Sequence, residues 1–351
     1  MKLIKVSDLK GGEVLGRAVI TSEYQVLLSE ETVIRPDIIR KLQDLGIESI
    51  YIIDQDQAHA EQVILLKSEV EESFKEKVKD ILDRQSFSNN AELAELSQTA
   101  DEIITNILDE DEVVDRVYDI KERSADIYEH SINLCTVATL TALKLKMSNT
   151  QVHDIGVGCL IHDMGLKYLK IPYEDQDIET LSNAEKIEYM KHPVYGYQAI
   201  KDEIWLTNIA KSIVLYHHES LDGGGYPLHA TEIPFEVQVV SVCDIFDEMI
   251  CGIACKRLKV HEAVEYLRSL KGIKYYPQIV DALLEFTAVY PVGSMVKLSD
   301  GSSGQVIRQN KEFPDRPVVM PKKDAKGNII PHAKEIDLIK INNIFIEKEL
   351  S

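Results

Sequence analysis

The sequence predicts a mainly α protein: a central all-helical domain, a small N-terminal α/β module and a small C-terminal β module. Three observations carry this. Apolar residues recur at spacings of three and four through most of residues 57–288, the period of a helix face. Short apolar runs separated by turn residues occupy both ends of the chain. The length, 351 residues, suits two or three domains rather than one. Composition shifts divide the chain near 1–56, 57–123, 124–288 and 289–351.

In the first segment, Val14–Ile20 and Tyr24–Leu28 read as strands around a Thr21-Ser22-Glu23 turn. Pro36 opens a helix with Ile38, Ile39, Leu42 and Leu45 on one face and Gly46 past its end, the usual Pro-in, Gly-out asymmetry. Ile50–Ile53 follows as a strand. In the second segment Leu66, Val70, Phe74, Val78 and Ile81 form one helix face, and the polar stretch Gln85–Asn90 breaks it. A second helix runs through Ile103, Ile104, Ile107 and Leu108, before an acidic turn at Asp109–Glu112. This pair reads as a wall of the helical bundle or as a connecting arm; as an arm, its apolar stripe offers a surface for a homodimer. The fourth segment reads as strands at Met295–Leu298, Gly304–Arg308, Pro317–Met320 and Glu335–Ile339, with Asp300-Gly301 and Lys326-Gly327 turns.

Composition excludes several function classes. Lys+Arg is 39 against Asp+Glu 59, a net charge of −20, and no dense basic cluster exists to track a nucleic-acid backbone, so DNA is not expected as a partner. Five cysteines, Cys135, Cys159, Cys243, Cys251 and Cys255, are too few for a disulfide scaffold and fit a reducing, cytoplasmic setting. Cys251 and Cys255 lack a thiolate or imidazole neighbour in sequence and read as core thiols. No apolar run reaches the roughly 18 residues of a membrane span, and the N-terminus lacks the pattern of a signal peptide.

The chemistry concentrates in the third segment, which holds eight of the ten histidines: His130, His153, His162, His192, His217, His218, His229 and His261. Asp126 and His130 are four apart and would share a helix face. Two His-Asp dipeptides, His153-Asp154 and His162-Asp163, are nine apart, which places them on opposite faces of one helix. The second follows the apolar run Val157–Ile161 and lies at a buried helix end closed by Gly165; the first reads as a solvated cap. His192 precedes Pro193, a helix start. His217 and His218 end an apolar helix before the glycines Gly223, Gly224 and Gly225, whose backbone can approach a ligand closely. Asp244 stands inside an apolar helix, where a carboxylate needs a partner, and Asp247 follows three residues later. Asp126, His130, His162, Asp163, His192, His217, His218 and Asp244 make a nitrogen- and oxygen-rich ligand set without thiolate, suited to Fe, Mn or another first-row metal at two or three sites.

This order, His130, His162-Asp163, His192, His217-His218, Gly224-Gly225-Tyr226-Pro227 and Asp244, resembles the HD-GYP family of metal-dependent phosphodiesterases that cleave cyclic di-GMP. The resemblance implies an HD-type helical domain over 124–288, preceded by a common small N-terminal module and followed by the family's C-terminal extension, YPVGSMVKLSDGSSGQV. It implies that the eight residues bind two or three divalent metals, Fe or Mn, with Asp163 bridging two of them. Asp126 takes the place of a Glu in trinuclear members. The implied reaction is hydrolysis of cyclic di-GMP to linear pGpG or GMP by a metal-bridging hydroxide, with Lys256 touching the phosphates and Tyr226, Asp247, Gly224 and Gly225 lining the substrate site. Two positions depart from the pattern. The family's phosphate-contacting Lys is Leu166 here, with Lys167 one residue on as its catalytic replacement, and Ile253 stands where the family has Arg. Lys170 and Arg257 are further basic residues nearby. The alternatives are a cyclic-dinucleotide receptor with little turnover, and a hydrolase of another cyclic dinucleotide or nucleotide.

Overall fold

The computed structural model describes residues 2–20, 26–29, 32–47, 49–53, 63–64, 66, 68–84, 91–108, 116–120, 125–171, 177–311, 313–331 and 333–350. The expected turns at Thr21–Glu23 and Asp109–Glu112 and the break at Gln85–Asn90 lie outside them.

The N-terminal module contains β1 (Lys2–Lys5), β2 (Val14–Leu15), β3 (Val19–Ile20), β4 (Val26–Leu28), α1 (Pro36–Asp44) and β5 (Ser49–Ile53). β5 pairs antiparallel with both β1 and β2, and β3 pairs with β4. The single strand expected at Val14–Ile20 is therefore two. The chain changes partner strand across Gly16, Arg17 and Ala18, so no single ladder can run through. α1 places Ile38 and Leu42 on a small core with Leu15, Ile34 and Ile50, and Gly46 follows it with φ +74°.

The central domain is built from α2 (Ser68–Arg84), α3 (Glu95–Leu108), α4 (Ile127–Lys144), α5 (Asn149–Ile161), α6 (Asn183–Tyr189), α7 (His192–Ile200), α8 (Asn208–Tyr216), α9 (Phe235–Cys251), α10 (Val260–Leu270) and α11 (Pro277–Phe286). Every residue of α4 from Glu129 to Ala142 is buried, as is nearly all of α9. Helices covered on all sides belong at the centre of a bundle. Phe74, Val78 and Ile81 of α2 and Ile103 and Ile107 of α3 join the same continuous core as α4, α5 and α9. Burying such a side chain is worth about 1.5–3 kcal/mol, so the stripe that offered a dimer surface is satisfied within the chain. Arg17 of the N-terminal module reaches this bundle, with Glu129 at 3.2 Å, Glu72 at 3.3 Å and Glu71 at 3.7 Å.

The C-terminal module is an antiparallel five-stranded sheet, β6 (Met295–Leu298), β7 (Ser303–Arg308), β8 (Val318–Lys323), β9 (Ile336–Asp337) and β10 (Ile346–Leu350), in the order β10-β6-β7-β8-β9. Gly301 and Gly327 take positive φ at the two expected turns. β10 escaped the sequence reading because Glu347, Lys348 and Glu349 interrupt its apolar alternation, which an edge strand tolerates. Buried Asp119 ties the sheet to the bundle: it accepts from the Val292 amide at 2.7 Å, Gln309 Nε2 at 2.8 Å and the Val63 amide at 3.0 Å. Among the described residues, no helix is long and apolar enough to cross a membrane.

Candidate metal centre

Local folding delivers each donor separately. α5 starts at Ser148, whose hydroxyl and Gln151 form a reciprocal cap, so the helix begins before His153 and runs to Ile161, leaving His162 as the residue that ends it. Asp163 then leads into a 3-10 turn, Met164–Tyr168. Gly165 lies within this turn and does not end the helix as expected. A Cβ at Gly165 would sit 1.9 Å from the His192 carbonyl oxygen. Glycine at this position lets α7 bring His192 against Asp163. His217 ends α8, and α9 carries Asp244 into the same space at 1% exposure.

The imidazoles share one arrangement. His162 Nδ1 donates to the Cys159 carbonyl at 2.7 Å, His192 Nδ1 to Tyr189 at 2.9 Å, and His217 Nδ1 to Ile213 and Val214 at 3.1 Å. His130 Nδ1 lies 2.8 Å from Asp247 Oδ2. Each Nδ1 is thus committed to an acceptor, and each Nε2 points inward. His192 and His217 Nε2 face each other at 3.3 Å, and His130 and His162 Nε2 at 3.2 Å. With their protons on Nδ1, neutral His192 and His217 present lone pairs to one another, which is unfavourable without a cation between them. Fixing the far nitrogen to a carbonyl or carboxylate is also how metal-binding histidines are oriented.

Two groups of donors result. Asp163, His192, His217 and His218 form one, and His130, His162 and Asp244 the other; within each, ligand atoms lie within 4.8 Å of one another. Asp163 connects them, with Oδ2 3.3 Å from His162 Nε2 and Oδ1 3.2 Å from His192 Nε2. Asp163 Oδ1 and His218 Nε2 are buried yet make no hydrogen bond, which buried polar atoms rarely do. These orphaned atoms and facing lone pairs fit a divalent cation in the cluster.

Electrostatics agree. Burial alone would raise the Asp163 carboxyl, but His162, followed by His192 and His217, holds it well below the usual range. Burial opposes protonation of His130, yet its hydrogen bonds to Asp244 and Asp247 push it up to about 10. Burial lowers His217 and, with His217 beside it, holds His218 well below the imidazole range. Protons on part of this cluster occupy the role that a cation would take, so metal binding would release them.

Several expected site residues stand elsewhere. Asp126 is the N-cap of α4: its carboxylate accepts from the Tyr128 and Glu129 amides at 2.9 Å and pairs with Lys75 at 3.7 Å. Its carbonyl accepts from the His130 amide at 2.8 Å as the helix begins, but its carboxylate is committed to the free amides of the first turn. Lys167 Nζ donates to the Leu82 carbonyl at 2.9 Å, because the 3-10 turn directs it toward α2. Leu166 is fully buried, Ile253 is 6% exposed, and Lys256 is exposed beyond the end of α9. Lys170 lines an open cleft of about 510 Å³ with Tyr168, Glu188 and Tyr195. Arg257 Nε donates to the Cys251 carbonyl. Asp247 is a buried partner of His130 rather than a surface for substrate. Gly224 donates its amide to Asp222. A Cβ at Gly225 would sit 2.4 Å from the His218 carbonyl, so its close approach is to the protein's own backbone. Tyr226 stacks on His218, with centroids 4.6 Å apart. His153 meets Ser97 Oγ at 3.1 Å on the far face of α5, and its helix is capped by Ser148, not by the dipeptide. All five cysteines are free, and four are buried.

Sequence reasoning missed Glu248. It is 6% exposed and groups with His218 and Asp244. It lies four residues after Asp244 on α9, so the spacing rule could have found it.

Residues 110–279 match the HD domain family model, and residues 295–351 match that of the KOW domain associated with HD domains. The chain carries an HD domain over residues 110–279. Among curated relatives of this HD protein, a cyclic di-GMP phosphodiesterase of Pseudomonas aeruginosa is 26% identical over 62% of the chain and 53% of its own length. A cyclic di-GMP phosphodiesterase of Thermotoga maritima is 31% identical over 56% of the chain and 55% of its own. The chain thus spans about half the length of these relatives. A solved HDG"Y"P protein from Bdellovibrio bacteriovorus shares the fold, with a TM-score of 0.53 and 18% identity over 80% of this chain and 97% of that one.

Proposed function

We propose that this HD protein is a metal-dependent phosphodiesterase that hydrolyses cyclic di-GMP to linear pGpG or GMP. The observation that carries the metal is the convergence of four imidazole Nε2 atoms on Asp163 and Asp244, each anchored behind by its Nδ1. The names of the curated relatives support the substrate. Asp163, His192, His217 and His218 would hold one cation and His130, His162 and Asp244 another, with Asp163 between them. Fe(II) or Mn(II) suits this donor set. Bound cations there supply Lewis acidity toward a phosphoryl oxygen and lower the pKa of water. The chain's own part is to hold the donors rigidly, through backbone carbonyls and Asp247, and to keep the cluster buried. Positive charge at this point also counters the field of a −20 chain against a dianionic substrate. The reading includes a cytoplasmic setting, in keeping with five free thiols. A homodimer would need a surface other than the α2 and α3 stripe.

A second reading, a cyclic-dinucleotide receptor with little turnover, is favoured by one specific observation. The positions Leu166 and Ile253 are buried and apolar, and Lys167 is engaged by the Leu82 carbonyl. The test is anaerobic purification, metal analysis and cyclic di-GMP turnover on one sample, with Asp163→Asn beside it. Two or more cations per chain with linear product, both lost in the variant, are expected. Ligand bound but intact over hours would select the receptor. Turnover of another cyclic dinucleotide alone would move the substrate, and full activity of Asp163→Asn would refute the site.

A further inference from the structure

Three imidazoles of the cluster are braced by nearby backbone. His162, His192 and His217 donate Nδ1 to carbonyls three or four residues back, so ring and brace move together. His130 differs. Its backbone belongs to α4, while its Nδ1 lies 2.8 Å from Asp247 Oδ2 and its Nε2 3.0 Å from Asp244 Oδ1, both on α9. Where His130 stands against Asp244 and His162 therefore depends on how the start of α4 is held.

That start is held largely by charge. Asp126, the N-cap, lies 3.7 Å from Lys75 of α2, and Lys75 lies 2.8 Å from Glu72. Tyr128 donates to Asp83 of α2 at 2.8 Å. Glu129, the residue before His130, is 3% exposed. Arg17 Nη1 donates to Glu129 Oε1 at 3.2 Å, and Arg17 Nη2 lies 3.3 Å from Glu72 and 3.7 Å from Glu71. One guanidinium thus joins the first turn of α4 to the start of α2. Its backbone is fixed on the N-terminal module. Leu15 pairs with Ile52 of β5, Gly16 donates to the Tyr51 carbonyl at 2.8 Å, and the Tyr51 ring lies 5.8 Å from the guanidinium. Burial works against the charge on Arg17, but Glu71, Glu129 and Glu72 outweigh it and keep the group protonated. Without this counter-ion the buried Glu129 carboxylate would be drawn toward water, and the first turn of α4 with it.

We propose that Arg17 is a positioning residue for the metal centre: it fixes the first turn of α4, and with it His130, against Asp244 and His162; this rests on the metal-dependent reading above. The effect is selective. The group of His130, His162 and Asp244 depends on α4. Asp163, His192, His217 and His218 come from the turn after α5, from α7 and from the end of α8, and none of these meets Arg17 among the described residues. The N-terminal module then supports one half of the centre without supplying a donor to it. Position and field make opposite predictions. Taking a positive charge away from the neighbourhood of a cation would by itself tighten cation binding, whereas losing the anchor behind a ligand weakens it.

The experiment is equilibrium dialysis of the full chain against Mn(II), with bound metal counted by mass spectrometry. The proteins are wild type, Arg17→Met, Arg17→Lys, His130→Ala and the Arg17→Met/His130→Ala pair, each shown to be folded by circular dichroism melting. Arg17→Met should weaken one cation about tenfold, the low end for a partner behind a ligand, and leave the other unchanged. Arg17→Lys, which keeps the charge but not the planar fork, should recover part of the loss. In the double variant the remaining cation should bind as it does in His130→Ala alone, because the two changes act on one site. Should Arg17→Met fail to fold, Glu129→Gln cuts the same link while Arg17 keeps Glu71 and Glu72, and the same selective loss is expected. Equal weakening of both cations would show a general loosening of the fold, and tighter binding would show an effect of charge alone. Either result, or unchanged affinity for both cations in a folded variant, would overturn the proposal while leaving the centre standing. No cation in folded wild type would instead overturn the metal reading itself, and this inference with it.

Discussion

α5 and the turn after it carry the same tetrapeptide pattern twice: His153-Asp154-Ile155-Gly156 and His162-Asp163-Met164-Gly165. The two copies have opposite surroundings. The His153 side chain is 33% exposed, with Asp101 at 3.5 Å, whereas that of His162 is 1% exposed between Asp163 and Asp244. The glycines differ as sharply. At Gly156 a Cβ would approach the end of the Ile104 side chain at 3.3 Å; at Gly165 it would lie 1.9 Å from a backbone carbonyl oxygen. The first copy is ordinary helix. The second sits where the helix ends, so its His and Asp can turn into the bundle and its Gly can admit α7. His, Asp and Gly stand at the same places in the two copies; position relative to the helix end decides which one faces other donors.

The contrast breaks most visibly at the histidines. His162→Ala removes a donor that lies 3.2 Å from His130 Nε2 and 3.3 Å from Asp163 Oδ2. Loss of a ligand should exceed the 10–100-fold cost usual for an outer-shell partner, so metal affinity and turnover should both fall by about a hundredfold or more. Metal titration and single-sample kinetics measure this, and retention of both would remove His162 from the site. The glycines come next in size. Gly165→Ala forces the chain and α7 apart and should destabilise by about 1–3 kcal/mol or more, as overpacking does. Gly156→Ala should stay within about 1 kcal/mol of wild type, since better helix propensity offsets a contact that a side chain can relieve. Thermal melts of the two variants side by side check the difference; equal shifts would mean that the close approach to His192 is not a constraint.

Much of this centre was legible because its donors are unusual residues in apolar surroundings. Asp244 within a run of valines, and adjacent His217 and His218 at a helix end, stand out in any reading of the chain. The sequence reading and the geometry part where a side chain is already engaged by its own neighbourhood. Asp126 and His130 are four apart, but the helix starts at Ile127, so Asp126 serves the free amides of the first turn. Lys167 lies within a 3-10 turn, whose tighter winding sends it to Leu82. Glu248 went unread although it stands four residues after Asp244, the same spacing, here within an unbroken helix. Asp247, expected at the substrate, is turned to His130 instead. The outer modules were legible in their apolar strands, but β10 was not, because an edge strand needs only part of the alternation that a buried strand shows.

The smallest expected effect sharpens the comparison furthest. His153→Ala removes a half-exposed ring whose partners are Ser97 at 3.1 Å and Asp101 at 3.5 Å, both on α3. It touches none of the donors that converge around Asp163. A change of this kind on an outward helix face usually stays within about 0.5 kcal/mol, and an exposed His–Asp contact adds little, since such pairs are worth about 0–1 kcal/mol. Metal content and turnover should therefore match wild type, with the melting temperature almost unmoved. The informative result is the opposite one. If His153→Ala lost metal while His162→Ala kept it, the helix end would not be what selects between the two copies. The packing of α3 on α5 would then have to bear on the centre directly, and the assignment of His162 and Asp163 would need to be replaced rather than adjusted.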